Sequence, residues 1–293
     1  WYITRFELKN MASTNVKWKG WGFIGPGLLW TIAFFTIPLL IMAAYSMFQR
    51  VGGRIVTDLS FSNYAAFFSK PHHLNALVNS IEVTLITTVI SILLAYPLAY
   101  ILAYRVPARW QRIALMMAIL PFWTSYVVRS YSWLLVLSNN GVISNVLQWL
   151  GIVAGPISLA NSRTATVIGF VHFFTMLLTL TIFANLVQIP PNYRKAAADL
   201  GASRWQTFWR ITLPLSIPGV MVGAFLTIVL TLGDYITPQI LGGLREVLLP
   251  QAIMLQIQRQ ADFPMAAAMS LVLMVVISII FLLFSRWLKI ERM

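Results

Sequence analysis

The chain has 293 residues, 59% of them hydrophobic and only 10% charged, with a net charge of +13. A soluble domain averages about 25% charged residues, so this composition, with a mean hydropathy of +0.77, is that of a membrane protein. The absence of cysteine excludes disulfides, thiolate metal sites and cysteine nucleophiles, and basic residues confined to short loops between apolar runs point to membrane topology and lipid rather than to nucleic acid.

Residues 1–22 form a tail and an elbow. Residues 1–10, ahead of Met11, are set aside from the fold reasoning, and Trp18 and Trp21 beside Lys17 and Lys19 suit an interfacial elbow. Six apolar windows then hold the roughly 20 residues that a helix needs to cross the hydrocarbon core: 23–47, 81–102, 113–136, 165–187, 217–241 and 265–288. None alternates with period two, which argues against a barrel. A cleaved signal peptide is the competing reading of the first window, but a signal core is only about 7–15 residues long, so a retained span is expected. His72 and His73 fall in the loop before the second window, and His172, alone in a span, reads as hydrogen-bonded packing. Residues 138–152 begin with turn residues and continue with Val142, Val146, Leu147 and Leu150 at helical spacing, which suggests a short helix on the outer surface. The expectation is one all-α membrane domain, 23–288, followed by a tail at 289–293.

Lys and Arg number fourteen on the side that holds both termini and the second and fourth loops, against six on the other, with Arg129 inside a span. By the excess of positive charge inside, both termini and the fourth loop, 190–214, are expected in the cytoplasm.

That fourth loop is the most structured connection. Pro190 and Pro191 are read as ending the fourth span, and Asn192 as capping a new helix that runs to Leu200. Ala196, Ala197 and Ala198 give it a smooth surface, and Gly201 permits the positive φ of a sharp turn. A second helix follows, with Trp205, Phe208, Trp209 and Thr212 facing the membrane boundary. Pro214 is expected to close it and Pro218 to open the next span. A plain amphipathic connector is the simpler alternative.

Three charges lie inside or at the edge of spans, where each costs about 2.5–3.5 kcal/mol on insertion scales and is a functional candidate by default. Asp234 and Arg129 each lie seven residues from the outer end of their window, on the order of 10 Å deep. Glu82 begins the second window, near water. For Asp234 three readings stand: a cavity-facing substrate contact, a pair with Arg129, or an interfacial residue without a role. Phe122, Trp123, Tyr126, Tyr131 and Trp133 form either an interface belt or a cavity lining, with Pro121 kinking the helix beside them. Three histidines and no acidic cluster give no metal site and no catalytic residues.

The loop 190–214 resembles the EAA loop of binding-protein-dependent ABC importer permeases: E-A-A, three residues, Gly, nine residues, then I-x-L-P. Ala196, Ala197, Gly201, Ile211, Leu213 and Pro214 match at the required spacing. The resemblance extends to the six-span layout and implies the type I importer fold. It further implies that Lys195, Ala196, Ala197, Asp199, Leu200, Gly201 and Ala202 contact a cytoplasmic ATPase and couple its closure to the spans. Lys195 replaces the family's Glu, a positive charge placed at the start of a helix whose dipole it opposes. The stretches "PFWTSYVVRSYSW" and "GDYITPQILGG" look like the spermidine/putrescine branch, although opine, phosphonate and ferric-iron permeases share similar ones. On that resemblance the substrate pathway would use Asp234, Tyr235, Trp123, Tyr126, Arg129 and Glu82.

No lysine follows a glycine, so no P-loop is present and the chain is not read as an enzyme. ATP would be bound by two partner ATPase subunits, with a second permease and a periplasmic binding protein completing an importer in a bacterial inner membrane. No cofactor of its own is expected. An ion-coupled secondary transporter is the rival class, disfavoured by the lack of an internal repeat, and a membrane enzyme is a third.

Overall fold

The computed structural model describes residues 24–243 and 246–288. The elbow tryptophans, the N-terminal tail and residues 289–293 lie outside them. In chain order the elements are α1 (Ile24–Ser46), a hairpin of β1 (Gln49–Val51) and β2 (Arg54–Val56), α2 (Ser62–Ser69), α3 (Pro71–Tyr104) and α4 (Ala108–Ile119). There follow α5 (Tyr126–Leu137), α6 (Val142–Trp149), α7 (Arg163–Leu186), α8 (Pro191–Asp199) and α9 (Arg204–Gly233). The chain continues with α10 (Ile236–Leu241), α11 (Leu249–Leu255) and α12 (Phe263–Leu288). Five helices are long and apolar enough to cross a membrane, six if the bent pair around residues 123–126 is one span.

Several expectations change in detail. The second span begins ten residues early, because Pro71 sits in the first turn of α3, where its missing N–H costs nothing. His72 and His73 are therefore helical rather than loop residues, and His73 is buried and stacks on Phe67. The third window is broken rather than merely kinked. Pro121 belongs to a 3₁₀ turn, Leu120–Trp123, after which Thr124 and Ser125 are extended, and the two halves meet at 86°. The fifth span stops at Gly233, eight residues short of the expected end, and α10 starts anew.

Pro214 does not close a helix: α9 runs through it and through Pro218. A π-turn, Phe208–Thr212, precedes Pro214, with Leu213 N–H reaching Phe208 O, and this wider turn absorbs a carbonyl ladder that proline cannot complete. The hairpin was not foreseen, although Gly52 and Gly53, both at positive φ, are the two-residue turn such hairpins use.

The bundle centres on α3, α7 and α9. Ala95, Ala99 and Ala103 place a stripe of small residues every fourth position of α3, against the ridge Leu178, Ile182 and Leu186 of α7. On α9, a Cβ at Gly219 would meet Asn185 at 2.5 Å and one at Gly223 would meet Thr181 at 2.4 Å, so glycine sets how closely α9 approaches α7. A second core joins Phe67 of α2, Ala76 of α3, Ile228 and Leu232 of α9, and Met265 and Met269 of α12. By contrast, α1 buries almost nothing: Leu29, Trp30, Phe34 and Leu40 all face outward, as a lipid-facing span requires.

Candidate functional site

The two helix breaks meet. Tyr126 is the first residue of α5, immediately after the break in the third span, and Asp234 ends α9 in an extended conformation. The Tyr126 hydroxyl donates to Asp234 Oδ2. Thr237 of α10 also bonds to the tyrosine oxygen, and because that hydroxyl hydrogen is committed to the carboxylate, Thr237 is the donor. The other carboxylate oxygen, Oδ1, accepts the backbone N–H of Ile236 at 2.8 Å, a turn from residue i to i+2 that satisfies the first N–H of α10. Asp234 thus has local reasons to sit where it does, beyond any ligand.

Arg129 lies one turn along α5. It is 7% exposed, makes no ion pair within 4.0 Å among the described residues, and donates weakly to Pro121 O at 3.4 Å. Its guanidinium lies 5.0 Å from the Tyr126 ring centroid and 4.5 Å from that of Phe173 on α7. Cation–π contacts in such a desolvated place are worth up to about 2 kcal/mol each. The expected alternative of a direct Arg129–Asp234 pair is not formed; the tyrosine ring stands between them. Beside this group a cleft of about 270 Å³ is lined by Arg129, Ser132, Trp133 and His172, and Trp133 Nε1 donates to His172 Nδ1 at 3.2 Å.

Of the six residues read as a pathway, the structure brings Tyr126, Arg129 and Asp234 together, with Tyr235 next in chain and partly exposed. Trp123, the last residue of the 3₁₀ turn, is 84% exposed. Glu82 is engaged elsewhere, in an ion pair with Arg163 at the start of α7, which also approaches Glu246 at 3.7 Å. Arg163 lies ten residues before Phe173 on α7, about 15 Å along the helix. Sequence reasoning missed Thr237 and Phe173. The first was legible as a hydroxyl three residues after Asp234; the second carries no signal inside an apolar window.

The loop between α7 and α9 forms a second candidate site. Pro190 precedes α8 and Asn192 lies within it, so the expected asparagine cap is not made; Pro191, free of an N–H, opens the helix instead. Lys195 is therefore the fifth helical residue, past the first turn in which the dipole is felt, which removes the expected conflict. Gly201 has φ +78°, and the bonds Gly201 N–H to Ala198 O and Ala202 N–H to Ala197 O, both 2.9 Å, end α8 in the paired pattern that requires a left-handed residue there. Ser203 and Gln206 then cap α9 reciprocally. Ala197 and Ala202 lean inward, whereas Lys195, Ala196 and Asp199 are exposed and Leu200 is an apolar knob 88% exposed among the described residues.

A family profile described as binding-protein-dependent transport system inner membrane component matches residues 95–290. The spermidine/putrescine transport system permease protein PotB of Salmonella typhimurium strain SL1344 is 30% identical over 258 residues, covering 88% of this chain and 89% of that one. Its counterpart in Escherichia coli K12 is 30% identical over 258 residues, with 88% and 93% covered. The E. coli K12 inner membrane ABC transporter permease protein YdcU is 29% identical over 271 residues, with 87% and 85% covered. Among solved structures, a chain of a bacterial ABC transporter involved in the import of the acidic polysaccharide alginate superposes with a TM-score of 0.78 at 18% identity, covering 97% of this chain and all of that one. At that identity the likeness concerns the fold alone.

Proposed function

Because the chain belongs to the inner-membrane components of binding-protein-dependent transport systems, we propose that it is a permease subunit of an ATP-driven polyamine importer. The observation that carries the substrate class is the near full-length likeness to spermidine/putrescine permeases. In this reading both termini and the loop 190–214 face the cytoplasm, where two ATPase subunits bind. A second permease completes the pathway, and a periplasmic binding protein delivers substrate from outside. Leu200 and the exposed face of α8 seat in the ATPase, and the turn at Gly201, closed by two hydrogen bonds, passes its motion to α9 as a rigid body.

Asp234 is the contact for a substrate ammonium. A carboxylate at a helix break needs a partner at all times. Tyr126 supplies one hydrogen bond when no cation is present, and an arriving ammonium adds charge that the tyrosine lacks. The contact contributes about 1–3 kcal/mol, roughly 5- to 150-fold in a rate or affinity, which is weak enough to allow release.

Uptake of labelled spermidine into vesicles containing the assembled complex tests this. Transport should require ATP and survive collapse of the ion gradients; dependence on a gradient instead would place the chain among secondary transporters. Asp234→Asn keeps an oxygen for the Ile236 N–H and removes the charge. It should cut spermidine uptake by that factor while the affinity of the binding protein for spermidine stays unchanged. Normal uptake by the variant would remove Asp234 from the pathway.

A further inference from the structure

Behind α8 lies a pocket of about 390 Å³ whose walls include Tyr104, Arg105, Arg194, Arg204, Phe208 and Thr212, with no acidic residue among its lining. It sits between the end of α3 and the start of α9, two helices long enough to cross the membrane, so it opens at the membrane edge on the side of the loop 190–214. Three arginines line this one concavity. Arg105 and Arg204 are exposed at its rim, and Arg194 is half-buried with its guanidinium 3.7 Å from the centre of the Tyr104 ring. The ring is itself anchored by its hydroxyl, which donates to Leu186 O at 3.0 Å. None of the three arginines forms an ion pair among the described residues.

Two donors at the pocket are also unsatisfied. Arg194 Nε is buried without a hydrogen-bond partner. The Thr212 hydroxyl is likewise unpartnered, in a residue only 1% exposed. Farther along the same helix, Thr227 and Thr231 bond back to carbonyls four residues earlier, at 2.9 and 2.7 Å. Thr212 ends the π-turn and makes no such bond, and the residue lines the pocket. Several donors and three cations in one concavity without a carboxylate define the complement of a multidentate oxyanion, and arginine's planar fork suits phosphate.

We infer that this pocket binds the phosphate of an anionic phospholipid headgroup. The aromatic surroundings favour lipid over a soluble anion. Phe208 packs 6.0 Å from Trp205 and 5.4 Å from Trp209, and those tryptophans are 68% and 50% exposed, the pattern of rings at headgroup level. Basic pockets between spanning helices hold anionic headgroups in the same way. Because Arg194 and Ala198 belong to α8 while Tyr104 and Arg105 belong to the end of α3, a bound headgroup ties the loop to the bundle. This site is independent of which substrate the permease carries.

The assembled complex, equilibrated in detergent with phosphatidylcholine and a stepped fraction of phosphatidylglycerol, is assayed by native mass spectrometry. The wild type should retain phosphatidylglycerol through washing, and the double variant Arg194→Gln/Arg204→Gln should need about tenfold more for the same occupancy. Thr212→Val, close to isosteric, should weaken retention to a smaller degree, and Arg194→Lys should recover part of it. Equal retention by the wild type and both glutamine and valine variants overturns the site. Displacement of the lipid by millimolar inorganic phosphate, with the same arginine dependence in phosphatidylcholine alone, overturns the lipid source in favour of a free anion. Retention by the two permeases but not by the complex with ATPase subunits overturns it in favour of an acidic side chain of the partner.

Discussion

At the residue scale, Asp234 carries two separable roles, because its two oxygens do different things. Oδ1 takes the Ile236 N–H at the start of α10, and Oδ2 takes the Tyr126 hydroxyl. Asp234→Ala removes both and should destabilise the purified complex beyond Asp234→Asn by about 0.5–1.5 kcal/mol, the net worth of one hydrogen bond, read as a lower unfolding midpoint. Equal midpoints would mean that the bond to Ile236 contributes nothing. Tyr126→Phe leaves a half-buried carboxylate with its backbone donor alone. It should cost about 1.5–3 kcal/mol, against about 1 kcal/mol for Thr237→Val, whose bond joins two uncharged hydroxyls. The reverse order would contradict the assignment of the donors. From sequence, Asp234 and Arg129 stood out because charge is expensive in an apolar window. Tyr126 stood out only as one of five aromatics open to an interface-belt reading, because tyrosines near a membrane surface are ordinary; its hydrogen bond to Asp234 was not legible.

At the scale of elements, two glycines act through different physics. Gly201 works through its own φ of +78°: an added Cβ there meets nothing within 4 Å, yet the left-handed backbone resists a branched side chain. Gly201→Val should therefore leave the spans inserted and the subunits assembled while substrate-stimulated ATPase activity falls; unchanged transport would end its role as the coupling turn. Gly223 works through its neighbours. Its added Cβ would meet Thr181 at 2.4 Å and Leu178 at 2.6 Å, so Gly223→Val should push α9 from α7 and lower the unfolding midpoint by the equivalent of about 1–3 kcal/mol. The Lys195→Glu variant tests α8 as an interface. Since Lys195 is exposed and past the first turn, the change should leave helix content unaltered and alter only the affinity for the ATPase subunits, toward weaker assembly. Tighter assembly by this variant would contradict the expectation that the facing surface is acidic or neutral.

At the scale of the whole molecule, the distribution of positive charge predicts which side each loop faces, and the lack of cysteine makes that directly measurable. In vesicles holding the permease without ATPase subunits, a single cysteine at exposed Leu200 should react with a membrane-impermeant maleimide only when they are inside-out, and one at exposed Asn140 only when they are right-side-out. The opposite pattern would invert the topology and move the coupling loop away from any cytoplasmic ATPase. The bundle itself sets small-residue stripes, Ala95, Ala99 and Ala103 on α3 and Gly219 and Gly223 on α9, against buried ridges such as Leu178, Ile182 and Leu186, while many other large apolar residues face outward. That is the arrangement expected where lipid supplies no hydrophobic penalty for exposed leucine and close backbone approach supplies the packing.

The sequence by itself determined the six apolar segments, the loop spacing around Gly201 and the charges that need an account, because each depends on local composition or on the steric demand of a single residue. It did not determine where helices end within those segments. The chain is apolar on both sides of Pro121 and of Asp234, so the breaks appear only when neighbouring helices offer partners for the freed backbone. Nor did it separate a proline that stops a helix from one that a π-turn accommodates, as at Pro214. Only the tertiary structure placed Tyr126 between Arg129 and Asp234, sent Glu82 to Arg163, and gathered Arg105, Arg194 and Arg204 around one pocket. Those contacts join residues far apart in the chain, and no local pattern encodes which helices come to lie side by side.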